Sequence, residues 1–117
     1  MNKNIQKGKL GEDLACEFLL KKGYRIVERN WRYSRFGEID IIIANKNSLV
    51  FVEVKARTGI DFGHPVEAVN NSKMKKIRTL AEIYLAQNPN LNFENIRFDI
   101  VGILLKQQPE FTHYEDV

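Results

Sequence analysis

Two carboxylates and a lysine stand at a spacing that suits chemistry on a phosphate group. Asp40 lies in the run GEIDIII, and Glu53 and Lys55 lie in the run FVEVK. Both runs alternate in the way that β-strands do, and residues 45–48 between them have the composition of a turn. A hairpin closed by a two-residue or a four-residue turn pairs Asp40 with Glu53, and it places Lys55 on the same face, one step along.

This register brings negative charge together where a metal ion would relieve it. Two carboxylates that face each other among isoleucines and valines repel, and burial adds a desolvation cost. A hard divalent cation, Mg²⁺ or Mn²⁺, removes both costs. Asp40 and Glu53 are therefore predicted to bind metal, and Lys55 to hold a phosphate oxygen or to position an attacking water. The alternative is a solvated face with ordinary cross-strand charge pairs.

Other charged residues are interpreted from their positions. The hairpin register places Glu38 opposite Lys55, which predicts an ion pair between them. Arg97 and Asp99 alternate on one face of a late strand, which favours a structural ion pair over a catalytic role. His113, like His64, has no second histidine or cysteine at metal-ligand spacing, so it is interpreted as isolated.

Basic residues crowd the first turns of the second predicted helix, where positive charge opposes the helix dipole. Two readings stay open: a site for phosphates, in which Lys73 and Lys76 bind nucleic acid, or a solvated basic face. The phosphate site could extend to further lysines, Lys3, Lys7 and Lys9. Three aromatic residues just before the hairpin are interpreted as core, with stacking on bases as the alternative: Trp31, Tyr33 and Phe36.

Hydrophobic periodicity and turn residues predict the elements that position these side chains. Helices are predicted over residues 9–22 and from a cap at Ser72 to residue 86. Strands are predicted over residues 24–32, 38–44, 49–56 and 95–105, with a short one at 111–114, a mobile loop over 57–64 and a helical turn opening at Pro65. This order predicts an α/β sandwich, in which a mixed central sheet is flanked by helices.

The composition limits the class of protein. With 117 residues, 44% of them hydrophobic, the chain is expected to form one domain spanning residues 1–117. The net charge of +3 permits an anionic partner such as nucleic acid. The single cysteine, Cys16, fits the reducing cytoplasm. The polar first residues do not read as a signal peptide, and no apolar run could span a bilayer, so no membrane partner is expected.

An ordered set of residues resembles a known family. The set comprises Gly8, Gly11-Glu12, Asn30, Gly37-Glu38-Ile39-Asp40, Phe51-Val52-Glu53-Val54-Lys55, Arg57, Lys73 and Arg97-Phe98-Asp99. It resembles the YraN family of uncharacterised bacterial proteins. Asp40 followed by Glu53 and Lys55 is similar to the PD-(D/E)XK nuclease superfamily, which includes Holliday-junction resolvases.

The resemblance implies a restriction-endonuclease-like α/β sandwich with the hairpin at its active edge. By similarity, Asp40, Glu53 and Glu12 would hold metal, the Val54 carbonyl could add a ligand, and Lys55 would assist catalysis. From the residues alone, Glu12 lies at the edge of its helix's apolar face and could equally be a surface glutamate. One departure is Ile39, which replaces the superfamily's proline before the first aspartate, a proline that is often missing.

Together these observations predict a metal-dependent phosphodiesterase, an endonuclease that acts on nucleic acid, with DNA as the expected substrate. The alternative is a non-catalytic nucleic-acid-binding module that retains the nuclease fold, and a third reading is a protein-interaction domain with structural charges. Few residues remain outside the core to read base sequence. Base-specific recognition is therefore not expected unless the chain forms a homodimer, which the sequence leaves open.

Overall fold

The computed structural model describes residues 3–58 and 70–117 and, for residues 3–7, the backbone alone. His64, the helical turn at Pro65 and most of the loop predicted over 57–64 lie outside the described residues. The elements are α1 Lys3–Lys21, β1 Arg25–Tyr33, β2 Gly37–Ala44, β3 Ser48–Arg57, α2 Asn71–Gln87, β4 Asn95–Leu104 and β5 Glu110–Tyr114. No helix among the described residues is both long and apolar enough to cross a membrane.

The five strands form one mixed sheet in the order β1-β2-β3-β4-β5. Neighbours are antiparallel except β3 and β4, which run parallel. A parallel pair needs a long crossover connection, and α2 lies in the segment that joins these two strands. The predicted mixed sheet flanked by helices is confirmed, and β4 is an interior strand.

Each face of the sheet is covered by one helix, so β2 and β3 are apolar on both sides. Ile42 and Phe51 pack against the buried face of α2, which includes Ile77 and Leu80. Ile41 and Val52 point the other way, toward Leu19 of α1 and its neighbours. The hairpin register is the predicted one, because Ile42 pairs with Phe51.

Two predicted helix starts were wrong. Helix α1 begins at Lys3, several residues before the apolar periodicity. Helix α2 is capped by Asn70, whose side-chain oxygen accepts the Lys73 N–H at 2.9 Å, and Ser72 already lies inside the helix. Asparagine and serine both serve as caps, so composition alone does not choose between neighbouring candidates.

The core interpretation of the aromatic residues before the hairpin was correct for one of the three. Trp31 packs against the core under α2. Tyr33 and Phe36 are 40% and 42% exposed. They lie at the turn between β1 and β2, where α2 contributes the Lys76 side chain but leaves both rings partly in solvent.

Candidate metal and phosphate site

The carboxylates of Asp40 and Glu53 meet where β2 and β3 separate. The paired residues of the two strands run from Ala44 and Leu49 to Ile41 and Val52. At the next position the Asp40 carboxylate accepts the Val54 N–H at 2.8 Å, taking the place of a strand-to-strand bond. This contact turns Asp40 toward β3, where it shares a hydrogen bond with Glu53.

Burial makes both carboxylates hold protons more tightly. Glu53 is 5% exposed. Its burial, reinforced by the Asp40 charge, raises the pKa of Glu53 to about 8. Burial also raises the pKa of Asp40, against the opposing effect of the Val54 N–H. At neutral pH the metal-free pair therefore shares a proton, as carboxylates in close contact do when no cation separates them.

Glu12 approaches the pair from α1. Burial and the Asp40 charge raise the pKa of Glu12, while a hydrogen bond from the Asn30 side chain and the nearby Arg29 act in the opposite direction. Asn30 has a φ of 52°, a left-handed conformation that asparagine tolerates better than most residues. The strand β1 thus orients Glu12, a role for Asn30 that spacing along the chain did not indicate.

A cavity of about 430 Å³ opens over these carboxylates. Its lining is Gly8, Glu12, Asp40, Glu53, Val54, Lys55, Ala56 and Arg57. The structure therefore brings together the predicted residues Asp40, Glu53, Lys55 and Glu12. Arg57 adds a second cation, which its place two residues after Lys55 on the same strand could have indicated.

The donor set of the cavity suits a hard cation. Asp40 and Glu53 offer carboxylate oxygens side by side, and a divalent ion would replace the shared proton. Glu12 does not complete a closed triad. A metal held by all three carboxylates would need one oxygen from each, all within 4.8 Å of one another. Among the described residues, Glu12, Asp40 and Glu53 do not meet this condition. The residues present thus fit a metal held by two carboxylates, with Glu12 at its edge.

Helix α2 brings a lysine to the pair. The Lys73 ammonium lies 3.7 Å from a Glu53 carboxylate oxygen. Its charge favours the ionised forms of both Glu53 and Asp40. Lys73 was predicted as a contact for nucleic acid. Its contact with Glu53 was not predicted, because it depends on how α2 packs over β3.

The predicted ion pair of Glu38 with Lys55 was wrong. Glu38 contacts Arg32, its neighbour across β1, at 3.4 Å. The regular pairing of β2 with β3 ends at Ile41, so the strands have separated before Glu38 is reached. Lys55 is thereby left to face the cavity.

The ion pair of Arg97 with Asp99 is confirmed, and it belongs to a larger buried cluster. Asp99 is fully buried and bonds Arg97 at 2.8 Å and His113 at 2.7 Å. Burial alone would raise the Asp99 pKa, but hydrogen bonds from His113 and Arg97 lower it to about 2. Reading His113 as isolated was therefore wrong.

The same cluster satisfies the distance requirement for a metal site. Ligand atoms of Asp99, His113 and Glu115 lie within 4.8 Å of one another. The Arg97 guanidinium already contacts Asp99 and Glu115. A metal cation is disfavoured there, because the Arg97 guanidinium already supplies the positive charge that these carboxylates need.

The fold and the site define a class: a small mixed α/β protein in which a buried and a partly buried carboxylate, with cations near them, line one cavity. The model of the uncharacterised protein family UPF0102 matches residues 11–103. The chain belongs to this family, also called YraN, as its motifs indicated.

Curated relatives extend the match to nearly the whole chain. A UPF0102 protein of Dictyoglomus turgidum is 49% identical over 112 residues, covering 96% of this chain and 93% of the relative. A UPF0102 protein of Rhodococcus opacus is 44% identical over 118 residues, covering 99% and 98%. A UPF0102 protein of Clostridioides difficile is 45% identical over 105 residues, covering 90% of each chain.

Proposed function

We propose that the protein is a metal-dependent phosphodiesterase, an endonuclease that acts on nucleic acid, with DNA as its substrate. The observation that carries the proposal is the buried contact between Asp40 and Glu53 at the rim of a cavity lined by Lys55 and Arg57. A structural role would be better served by a neutral or oppositely charged pair, because buried like charges cost stability.

Asp40 and Glu53 would hold Mg²⁺ or Mn²⁺, with Glu12 beside it. When bound, such an ion supplies an activated water and stabilises negative charge on a phosphoryl group. Lys55 and Arg57 bind phosphate oxygens on the cavity wall and compensate the charge that builds up in the transition state. Lys73 favours the ionised forms of the carboxylates, and a phosphate entering the cavity gives its ammonium a second anionic partner.

The same residues support a finer placement of the fold. The PD-(D/E)XK superfamily, with its restriction-endonuclease-like sandwich, is expected to have an aspartate at the end of the hairpin pairing and a glutamate and a lysine on the next strand. Asp40, Glu53 and Lys55 match this arrangement. A buried free thiol at Cys16 is compatible with work in the reducing cytoplasm. A homodimer would supply the second active site that cutting both strands of a duplex requires.

The test is cleavage of linear, branched and single-stranded DNA in Mg²⁺ or Mn²⁺. Asp40→Ala and Lys55→Ala are compared with Lys106→Ala, a lysine paired with Glu110 on the surface. We expect wild type and Lys106→Ala to cleave, and the two site variants to be slower by about 10²–10³-fold.

Cleavage that survives both site substitutions would show contamination and refute the site. Binding without cleavage by the wild type would favour the non-catalytic nucleic-acid-binding module. Calorimetry with Mn²⁺ supplies an independent readout, since Glu53→Gln should abolish the binding heat while Lys106→Ala should leave it unchanged.

A further inference from the structure

The turn between β1 and β2 presents aromatic surface to solvent. We call residues 33–37 the aromatic turn. Tyr33 is 40% exposed and Phe36 is 42% exposed. Tyr33 stacks on the half-buried Trp31, with 6.3 Å between the ring centroids. The Tyr33 ring is therefore supported by a residue that packs against the core.

A lysine of α2 lies over this turn. The Lys76 ammonium is 5.4 Å from the centre of the Phe36 ring. A Cβ on Gly37 would fall 2.9 Å from Lys76 Cε, so the absence of a side chain there leaves room for the lysine stem. Arg35, also exposed, contacts no carboxylate within the described part of the chain. Two cations, Lys76 and Arg35, are thus present at the aromatic turn.

The aromatic turn is connected to the carboxylate cavity by one turn of helix. Lys73 and Lys76 are three residues apart on α2 and lie on the same side of it. Lys73 reaches Glu53 at 3.7 Å, and Lys76 reaches Phe36. Two lysines of α2 therefore lie between the cavity and the exposed rings.

This arrangement of lysines and rings matches the chemistry of an unpaired nucleic-acid strand. Aromatic rings stack on bases whose faces are free, and lysines contact the phosphates between them. A base within a duplex already stacks on its neighbours and has no free face. We infer that Tyr33 and Phe36 stack on unpaired bases of a single-stranded segment, while Lys76 holds its backbone and a neighbouring phosphate enters the cavity. This inference rests on the proposed function and names its substrate class.

The test is equilibrium binding measured by fluorescence anisotropy in chelator, where no cleavage can occur. The probes are a labelled single-stranded oligonucleotide, the blunt duplex of the same sequence, and an abasic strand of equal length. The variants are Tyr33→Leu and Phe36→Leu, which keep an apolar side chain, and Tyr33→Ala with Phe36→Ala. The control is Ile96→Ala. Ile96 is also 40% exposed, but it lies at the start of β4, beside Leu49, and not at the turn between β1 and β2.

Each loss of a ring should weaken binding of the single strand about tenfold, by the usual size of base stacking. Binding of the duplex and of the abasic strand should change little, and Ile96→Ala should bind as wild type does. Equal losses on normal and abasic strands would overturn the inference. So would unchanged strand affinity combined with loss of self-association in sedimentation, which would assign the rings to contacts between copies of the chain.

Cleavage in Mg²⁺ separates this inference from the proposed function. Ring-dependent binding without cleavage would refute the catalytic assignment and leave the stacking site in place. Cleavage combined with ring-independent binding would refute the stacking site and leave the catalytic assignment in place.

Discussion

At the scale of single residues, the main feature is a carboxylate pair that lowers the folding stability of the metal-free protein. Burial of Asp40 and Glu53 disfavours their charged forms, and the Asp40 charge further raises the pKa of Glu53. Their environment supplies one backbone N–H and one lysine, but no cation lying between them among the described residues. Strongly raised carboxylate pKa values in a cavity are typical of functional sites.

The pair gives the metal-free protein a distinctive pH dependence. The folded-state pKa of Glu53 is raised from 4.5 to about 8, so between these values the folded state binds a proton that the unfolded state has released. The contribution of this bound proton to the free energy of unfolding is fully present below pH 4.5 and is lost as pH rises through about 8. We expect the slope to approach about 1.4 kcal/mol per pH unit at most.

Urea unfolding in chelator at several pH values measures this slope. Glu53→Gln cannot titrate, so its curve should be flatter than that of the wild type, and the variant should be the more stable protein at pH 9. Glu38→Gln serves as control, because Glu38 pairs with Arg32 at the surface. Parallel curves for wild type and Glu53→Gln would contradict the raised pKa.

At the scale of elements, a glycine sets how closely α1 approaches the sheet. A Cβ on Gly11 would lie 2.8 Å from the Ala56 Cβ. Any side chain must push α1 away from β3, and Glu12 moves with it. Gly11→Val should therefore lower the free energy of unfolding by about 1–3 kcal/mol. It should also weaken Mn²⁺ binding.

Gly8 is the matched control on the same helix. A Cβ there meets nothing within 4 Å. Gly8→Ala should raise stability by about 0.5–1 kcal/mol, because alanine loses less backbone freedom in a helix. Thermal unfolding and calorimetry measure both variants. If Gly11→Val were as stable as Gly8→Ala, the close packing of α1 on β3 would be wrong.

The start of α2 offers a second comparison between neighbouring positions. The Asn70 side chain accepts the Lys73 N–H, whereas Ser72 is exposed inside the first turn. Asn70→Ala should cost about 1 kcal/mol, and Ser72→Ala should change stability by less than about 0.5 kcal/mol. Chemical denaturation distinguishes the two. A larger loss for Ser72→Ala would restore the cap that composition had suggested.

At the scale of the whole molecule, Asp99 joins β4, β5 and the residues that follow β5. It accepts hydrogen bonds from Arg97, from His113 and from the Asp116 N–H. Asp99→Ala should lower the free energy of unfolding by about 3–5 kcal/mol, because it removes the buried carboxylate that Arg97 and His113 both contact. Glu115→Gln, which changes a half-exposed contact of Arg97, should cost less than about 1 kcal/mol.

The pKa of Asp99 adds a pH test of the same cluster. Its folded-state pKa is lowered from 3.8 to about 2, so its contribution is present above pH 3.8 and is lost as pH falls through 2. The stability difference between wild type and Asp99→Ala should shrink over that window in denaturant titrations. A constant difference would show that the charge of Asp99 is not what stabilises the cluster.

The sequence by itself determined the sheet, the hairpin register and the meeting of Asp40 with Glu53. These follow from side-chain alternation and turn length, which act over a few residues and are the same in any fold. It also determined the apolar stripe of α2 and the ion pair of Arg97 with Asp99, since both depend on local periodicity.

Only the tertiary structure decided which partners the charged residues take. Glu38 pairs across β1 because the strands of the hairpin separate, Lys73 reaches Glu53 because α2 packs over β3, and His113 reaches Asp99 because β5 pairs with β4. The contacts of Lys73 and His113 join segments that are brought together by burial of the core, so no spacing along the chain could predict them. The cavity that unites Glu12 with the hairpin carboxylates arises in the same way.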